Sequence, residues 1–382
     1  MSFGRSNLQT QLTAWLMRRT SSSGVRRVAP IAAALATDVG EIRQENQDRV
    51  AIVRGRDRLG RPFAVAALAD GIGGMQQGAE CAALALGSLF AAIASEATAS
   101  IDSGQWLLRG IHQANNDVHA RMHGEGGATI SAALISGNGP IHWASVGDSR
   151  VYVADGSSLK QISIDDTIAG QLGRIGEAGF DQSKLIQFIG IGKPLEASVS
   201  SLPPHDGVAI FLTTDGVHFL DSTPWFGQLI KHAPDPGVCV RRLVELSRWC
   251  GGPDNATAAM LSLGDAINEG MPDVDRCLEV WDPFGELHVI VDPLRQPTSP
   301  AQQPAPAAKT APALSHDVQP PEGEAETSAA AAAPQEARAA GATKKGRSAR
   351  KGKSAAKGQR AEKSQEKASV PQLLIEFPNK TN

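Results

Sequence analysis

Between about residues 30 and 264 the chain alternates short apolar runs of strand length with longer stretches of helical period, set apart by glycine turns. Residues 61–68, RPFAVAAL, are almost wholly apolar and bounded by turn signals, which predicts a buried strand that stops at Asp70-Gly71. Two helical stretches follow, at about 76–97 and 105–123, the second carrying Leu107, Ile111, Ala114 and Val118 along one side. Residues 129–135, 141–146 and 150–154 then predict three strands in an antiparallel meander, with turns at 137–140 and 147–149. Residues 207–213 predict a further strand closing on Asp215-Gly216, 239–250 an amphipathic helix and 256–263 the last core strand. Strands and helices grouped in this way predict an α+β fold, a layered sandwich of antiparallel sheets covered by helices.

The pattern changes at both ends of this body. Residues 1–29 hold five arginines and no acidic residue, with Leu8, Leu12, Trp15 and Leu16 near helical spacing. The apolar stretch there is too short for a signal peptide, so the segment reads as a basic arm, mobile or packed on the surface. Residues 265–292 contain two strand-like runs around Asp282-Pro283-Phe284-Gly285, a strong turn signal, and predict an accessory hairpin. Residues 293–369 are dominated by Ala, Pro, Gly, Ser, Lys and Glu and cannot bury enough apolar surface to offset chain entropy, which predicts a disordered linker. Apolar character returns in 370–382, where Val370, Leu373, Leu374, Ile375 and Phe377 suggest a short docking motif for a partner.

Charge adds little to this picture: 37 Lys and Arg against 40 Asp and Glu give a net charge of −3, which argues against nucleic acid as the main partner. The basic run 344–367 reads as a soluble, self-repelling tail. Cys81, Cys239, Cys250 and Cys277 show no zinc-ligand spacing and read as buried thiols in a reducing cytoplasm. The longest apolar run, 81–94, is interrupted by Gly87 and Ser88 and falls short of the roughly 20 residues that span a bilayer, so no membrane segment is expected. His142, His205 and His218 are isolated, and the six tryptophans read as core anchors.

The chemistry lies in four aspartates in one local setting, each beside glycine or a polar turn residue at a strand end: Asp70 in ALADGIGG, Asp148 in ASVGDSRVY, Asp215 in FLTTDGVHF and Asp254 in GGPDNATAAM. Any one of them is an ordinary turn residue. Brought together, ionised carboxylates need a cation, and an all-oxygen donor set favours Mg²⁺ or Mn²⁺ over zinc. Two ions about 3.5 to 4 Å apart could hold a bridging hydroxide and clamp a phosphoryl group for in-line attack.

In order, RQENQD, DGIGG, GGAT, GDSRVY, TTDG and DNAT make the stretch 37–263 resemble the type 2C (PPM) protein serine/threonine phosphatases of bacterial type. The resemblance implies an α-β-β-α sandwich and hydrolysis of phosphoserine or phosphothreonine by a metal-bridging hydroxide at a dinuclear Mn²⁺ or Mg²⁺ site. It implies that Asp70, Asp215 and Asp254 ligate the metal pair with the carbonyl of Gly71, and that Asp148 with Asp215 holds a third, weaker ion. Arg43 matches the substrate-phosphate arginine, and its guanidinium suits a bidentate grip on two phosphate oxygens; a surface ion pair with Glu41 or Glu45 is the plain alternative. Asp48 would bind metal-coordinated water, while Asn46 and Asn255 would fix local geometry. The implied partners are a phosphorylated protein, a Ser/Thr kinase or its targets, with no membrane.

Four departures qualify the resemblance. Gln47 stands where many relatives carry glutamate, and Ile72 where eukaryotic relatives carry a histidine, so water is the expected proton donor to the leaving alcohol. Ala128 replaces a common threonine, and 165–194, beside the site, matches family patterns poorly. A phosphoprotein-binding pseudophosphatase and a small-molecule phosphoesterase stay open as alternatives on sequence alone.

Overall fold

The computed structural model describes residues 2–72, 77–155, 158–173, 184–203, 208–262 and 277–290, with side chains from residue 7 onward. The chain opens with α1 (Ser2–Leu16), then β1 (Ser23–Val28), β2 (Ala33–Asp38), β3 (Arg49–Arg56) and β4 (Pro62–Ala69). Next come α2 (Gly78–Ala99), α3 (Ser103–Met122), β5 (Ile130–Ser136), β6 (Ile141–Val146), β7 (Arg150–Asp155) and β8 (Ser158–Gln161). The remaining elements are α4 (Ile168–Gln171), β9 (Ser200–Leu202), β10 (Val208–Thr213), α5 (Asp215–His218), α6 (Pro224–Lys231), α7 (Pro236–Trp249), β11 (Ala256–Ser262), β12 (Cys277–Asp282) and β13 (Gly285–Ile290).

The strands form two antiparallel sheets, one of six strands ordered β1-β2-β11-β10-β7-β8 and one of seven ordered β13-β12-β3-β4-β5-β6-β9. Period-two alternation explains why the central strands are apolar throughout: each of their faces is buried in a different core. Ala64, Ala66 and Leu68 of β4 join Val50 and Ile52 of β3 between the sheets, facing Leu35, Ile210 and Leu212. Phe63, Val65 and Ala67 point the other way, into the core beneath α1, α2 and α3, where Phe63 meets Trp106 edge-on at 5.8 Å. On the far side Ala34, Ala36 and Phe211 pack against Phe226, Val240 and Leu243 of α6 and α7. Helix, sheet, sheet and helix are thus the four layers.

Helix α2 is Ala-rich, and among the described residues it is the one helix long and apolar enough to cross a bilayer, at a mean hydropathy of 1.5. It is spent inside the fold, where helices α1 and α3 lie against it. Helix α3 carries the expected apolar stripe, with Leu107, Ile111, Ala114 and Val118 all buried. It starts where the Asp102 side chain accepts from Gln105 N–H and ends in the left-handed His123.

Several expectations are corrected. Residues 1–29 are built into the fold: Leu8, Leu12 and Leu16, spaced i, i+4, i+8, bury against α2, and β1 pairs with β2. Gln9 Nε2 adds to that stripe by donating to Ser88 Oγ at 2.8 Å and Asp117 Oδ2 at 3.1 Å. The meander is broken, since β5 and β6 lie in the seven-stranded sheet and β7 in the other, and the chain changes sheets at 147–149. The hairpin β12–β13 extends the seven-stranded sheet through β12 and β3, where the buried Arg54 Nε donates to Glu279 Oε2 at 2.6 Å. Trp225 and Trp249 are exposed, as is Cys250, so neither residue type is confined to the core. The linker and the C-terminal motif at 293–382, like His205, lie outside the described residues.

Candidate active site

Strand register brings the five aspartates to one end of the sandwich. Arg49 opposite Ala69 sets Asp48, just before β3, beside Asp70, just after β4. In the other sheet Thr213 pairs with Arg150 and with Ala258, so Asp215, Asp148 and Asp254 stand at the same ends of β10, β7 and β11. The sheet-switching turn that spoiled the meander is what presents Asp148, with Gly147 at φ +101°. Gly71, the expected backbone ligand, sits against Gly78, where an added Cβ would stand 2.4 Å from the Gly78 carbonyl.

The electrostatics follow from that convergence. Burial pushes the Asp48 carboxyl up to about 7, and the Asp215 charge adds to the rise. Asp148 also rises to about 7 through burial and then Asp215. Asp215 rises to about 6 through burial and then Asp254. Asp70 is held well above the ordinary carboxylate range, first by burial and then by the charges of Asp48, Asp215, Asp148 and Asp254. Each of these aspartates destabilises the ionised form of its neighbours, which is the condition a cation relieves.

Arg43 enters from the exposed loop between β2 and β3, and its Nη2 donates to Asp254 Oδ2 at 2.7 Å. That bond, with the charges of Asp254, Asp215 and Asp70, raises its pKa. Of the two alternative partners, Glu41 and Glu45, Glu41 pairs with Arg248 at 2.5 Å. The loop lies so close to Asp254 that only glycine fits at position 40: φ is +80°, and a Cβ would stand 2.4 Å from the Asp254 carbonyl oxygen.

A network of hydroxyls and amides holds this loop and Asp48; Asn255 was expected to fix local geometry, whereas the sequence did not point to Thr37, Thr214 or Thr257. Thr214 Oγ1 donates to Asp48 Oδ2 at 3.0 Å and accepts from Thr257 N–H, while the Thr37 and Thr257 hydroxyls meet at 2.7 Å. Asn255 Oδ1 accepts from Gln47 N–H at 2.8 Å, and its Nδ2 donates to Val39 O at 2.9 Å and Glu45 O at 3.0 Å. The available signal was polar residues in otherwise apolar strand context, Thr37, Thr213, Thr214 and Thr257, all nearly or wholly buried. Arg150 is a second unassigned part: its Nε and Nη2 bond Asp165 at 2.8 to 3.1 Å and its Nη1 bonds Asp221, fastening 163–168 to the turn of Asp148. His218 is buried and held well below its ordinary pKa by burial, with Nδ1 3.2 Å from Thr213 Oγ1.

The residues fit a hard divalent cation. Asp48 Oδ1 and Asp215 Oδ1 are buried polar atoms with no hydrogen-bond partner, in a donor set made of oxygen alone. Among the described residues no three His, Cys, Asp or Glu side chains close into a finished cage; Asp254 turns to Arg43 and Asp48 to Thr214. A separate cavity of about 750 Å³ between β8 and α6, lined by Tyr152, Phe226 and Lys231, contains none of the five aspartates. Convergent chemistry outweighs volume, and the carboxylate end is the candidate site.

The sequence profile of the family described as protein phosphatase 2C matches residues 42–246, a span that includes Arg43, Asp48, Asp70, Asp148 and Asp215. The chain is 24% identical over 239 residues to the serine/threonine phosphatase stp of Listeria monocytogenes, covering 59% of this chain and 93% of that one. It is 30% identical over 248 residues to the serine/threonine protein phosphatase PstP of Mycobacterium tuberculosis, covering 61% of this chain and 45% of that one. Its fold is similar to the crystal structure of the PPM Ser-Thr phosphatase MsPP from Mycobacterium smegmatis in complex with cacodylate, with a TM-score of 0.50 and 30% identity over 61% of this chain and 98% of that one.

Proposed function

The chain belongs to the protein phosphatase 2C family, a serine/threonine protein phosphatase of the bacterial type, and on that premise we propose that it uses a dinuclear metal site to reverse a partner kinase in the cytoplasm. The observation that carries the reading is the set of five buried or half-buried carboxylates at one end of the sandwich, faced by one guanidinium. Asp70, Asp215 and Asp254, with the Gly71 carbonyl, would hold two Mn²⁺ or Mg²⁺ ions, and Asp148 with Asp215 a third. When bound, such ions acidify a water nucleophile and neutralise charge on the phosphoryl oxygens.

The chain's own groups do the rest. Arg43 Nη1 and Nη2 form the fork that receives two phosphate oxygens, with the substrate competing against Asp254 for the guanidinium. Asp48 is fixed by Thr214 at Oδ2, which leaves Oδ1 to accept a hydrogen bond from the attacking water and so orient it. Ile72 offers no acid, so the leaving seryl or threonyl oxygen takes its proton from water. Among the described residues no disulfide joins Cys81, Cys239, Cys250 and Cys277, which supports a reducing compartment. Residues 370–382 are proposed to dock a partner, the kinase or its targets, and raise the local concentration of substrate.

Hydrolysis of a phosphothreonine peptide with added Mn²⁺ tests the reading and separates an enzyme from a phosphoprotein binder. Asp215→Asn and Asp254→Asn should each lower turnover by orders of magnitude while the protein stays folded. Near wild-type activity of either variant at saturating Mn²⁺ would remove that carboxylate from the site.

A further inference from the structure

The loop that carries Arg43 and Asp48 is exposed from residue 41 to 45 and runs over hollow ground. Between it, the C-terminus of α1 and the hairpin tip lies a cavity of about 490 Å³, lined among others by Met17, Thr20, Glu45, Asn46 and Phe284. On that side the loop is held by hydrogen bonds, one of them from Asn46 Nδ2 to Thr37 Oγ1 at 2.8 Å. What spans the gap is one guanidinium: Arg49 Nη1 donates to Asn46 O and to Asp48 O, both at 2.7 Å, and its Nε donates to Leu16 O at 2.8 Å. Leu16 is the last residue of α1, so this carbonyl has no partner within the helix.

The far end of the strut is itself anchored. Arg18 Nη1 donates to Trp15 O at 2.7 Å, its guanidinium lies 3.9 Å over the Trp15 ring, and both terminal nitrogens reach Asp282 at 2.7 to 2.8 Å. Asp282 Oδ1 in turn accepts from Phe284 N–H and Gly285 N–H in the hairpin turn. Two arginines thus join three pieces of chain: the end of α1, the tip of β12–β13 and the loop of the candidate site.

We propose that Arg49 is a positioning residue through which the N-terminal helix and the terminal hairpin hold the phosphate-binding loop in its working geometry. Arg49 touches no reacting atom. It acts through the backbone of Asn46 and Asp48, so anything that displaces α1 withdraws one support from Arg43 and Asp48 together. The inference rests on the proposed role of those two residues for its functional consequence, but the mechanical coupling stands or falls separately.

Amide hydrogen exchange on the full-length protein tests it, because Gln47 N–H bonds Asn255 and Asp48 N–H bonds Asn46 Oδ1, and both report loop order. Arg49→Ala should speed exchange at Gln47 and Asp48 at least tenfold while amides of α3 keep their wild-type rates. It should also lower kcat/KM for a phosphothreonine peptide about tenfold. Arg49→Lys, which can reach only one carbonyl at a time, should fall between the two and serves if the alanine variant does not fold. Arg18→Ala should give a smaller acceleration at the same two amides. Loop exchange within twofold of wild type, or equal acceleration in the loop and in α3, would overturn the proposal. A changed loop exchange in a protein that hydrolyses no phosphopeptide would uphold the coupling and discard the functional reading instead.

Discussion

Asn255→Ala is the substitution whose cost can be worked most directly from the structure. The side chain is 4% exposed and makes three hydrogen bonds, to Gln47 N–H, Val39 O and Glu45 O, at 2.8 to 3.0 Å. At a net value of about 0.5 to 1.5 kcal/mol each, their sum is roughly 1.5 to 4.5 kcal/mol. Glu45 is exposed and its carbonyl can turn to water, so a loss of about 2 to 3 kcal/mol is expected. If that loss were global it would lower the melting temperature by roughly 5 to 10 °C for a body of this size. All three bonds, however, run to the edge of one loop, so much of it should appear as opening of residues 39–47 with the sandwich intact. At about 1.4 kcal/mol per tenfold, the equilibrium for loop opening shifts by roughly 30- to 100-fold, and kcat/KM for a phosphothreonine peptide should fall by up to that factor. Asn255→Asp keeps the acceptor for Gln47 but sets a carboxylate against two carbonyls, so it should do no better than alanine. Paired kinetics and thermal unfolding are the assay. If Asn255→Ala kept kcat/KM within twofold of wild type with an unchanged melting temperature, the three bonds would not be what holds the loop.

Arg43→Ala should remove charge-assisted hydrogen bonds to the substrate worth about 1.5 to 3 kcal/mol, raising KM for a small phosphoester roughly tenfold to a hundredfold and sparing metal binding; unchanged KM and kcat together would place Arg43 outside the site. Asp48, Asp148 and Asp215 bind their protons more tightly in the folded chain, at about 7, 7 and 6 against an ordinary 3.8. Their contribution to stability is therefore complete below the ordinary value and is lost as pH rises through about 6 to 7. The chelated protein should melt at a lower temperature near pH 8 than near pH 5, with Mn²⁺ restoring most at the higher pH, and a metal-free melting temperature that rose across this range would contradict the cluster. Deleting residues 370–382 should leave hydrolysis of a small phosphoester untouched and slow dephosphorylation of the true protein substrate, and equal rates on both substrates in truncated and full-length protein would end the docking idea.

What was legible in the sequence is what repeats or what stops a pattern. The strands of residues 62–69 and 208–213 were visible because both faces are buried, which makes the apolar run continuous. Asp70, Asp148, Asp215 and Asp254 were visible because each stands at the end or the start of such a run beside a turn residue, and Asp48 only through the family resemblance. Sheet membership was not legible. The hydrophobic alternation of residues 150–154 is the same whether the strand continues one sheet or crosses to the other, and the three-residue turn that decides it looks like any hairpin turn. Helix α1 was underread for a related reason: its buried stripe is only three leucines long, and its arginines gave the segment the look of a tail.

The two supports of the 39–48 loop share one property that hides their partners from the sequence: they bond to backbone. Asn255 reads Val39 O, Glu45 O and Gln47 N–H, and Arg49 reads Leu16 O, Asn46 O and Asp48 O. A peptide group is the same at every position, so such a partner leaves no trace in the residue types around it. Carboxylates that gather round a cation, by contrast, must be aspartate or glutamate, and the requirement is written in the chain. The division has a mechanical consequence. Charge chemistry sets where the reaction takes place, but the 39–48 loop, which brings Arg43 to that place, is held by polar side chains on backbone atoms from two directions, Asn255 from the β11 side and Arg49 from the α1 side. These supports act on one segment and share it, so their losses should couple: Asn255→Ala and Arg49→Ala combined should cost less in kcat/KM than the product of the two single losses, since a loop already freed by one cannot be freed again. A double-mutant cycle measures this, and strict multiplicativity would mean that the two residues hold different things.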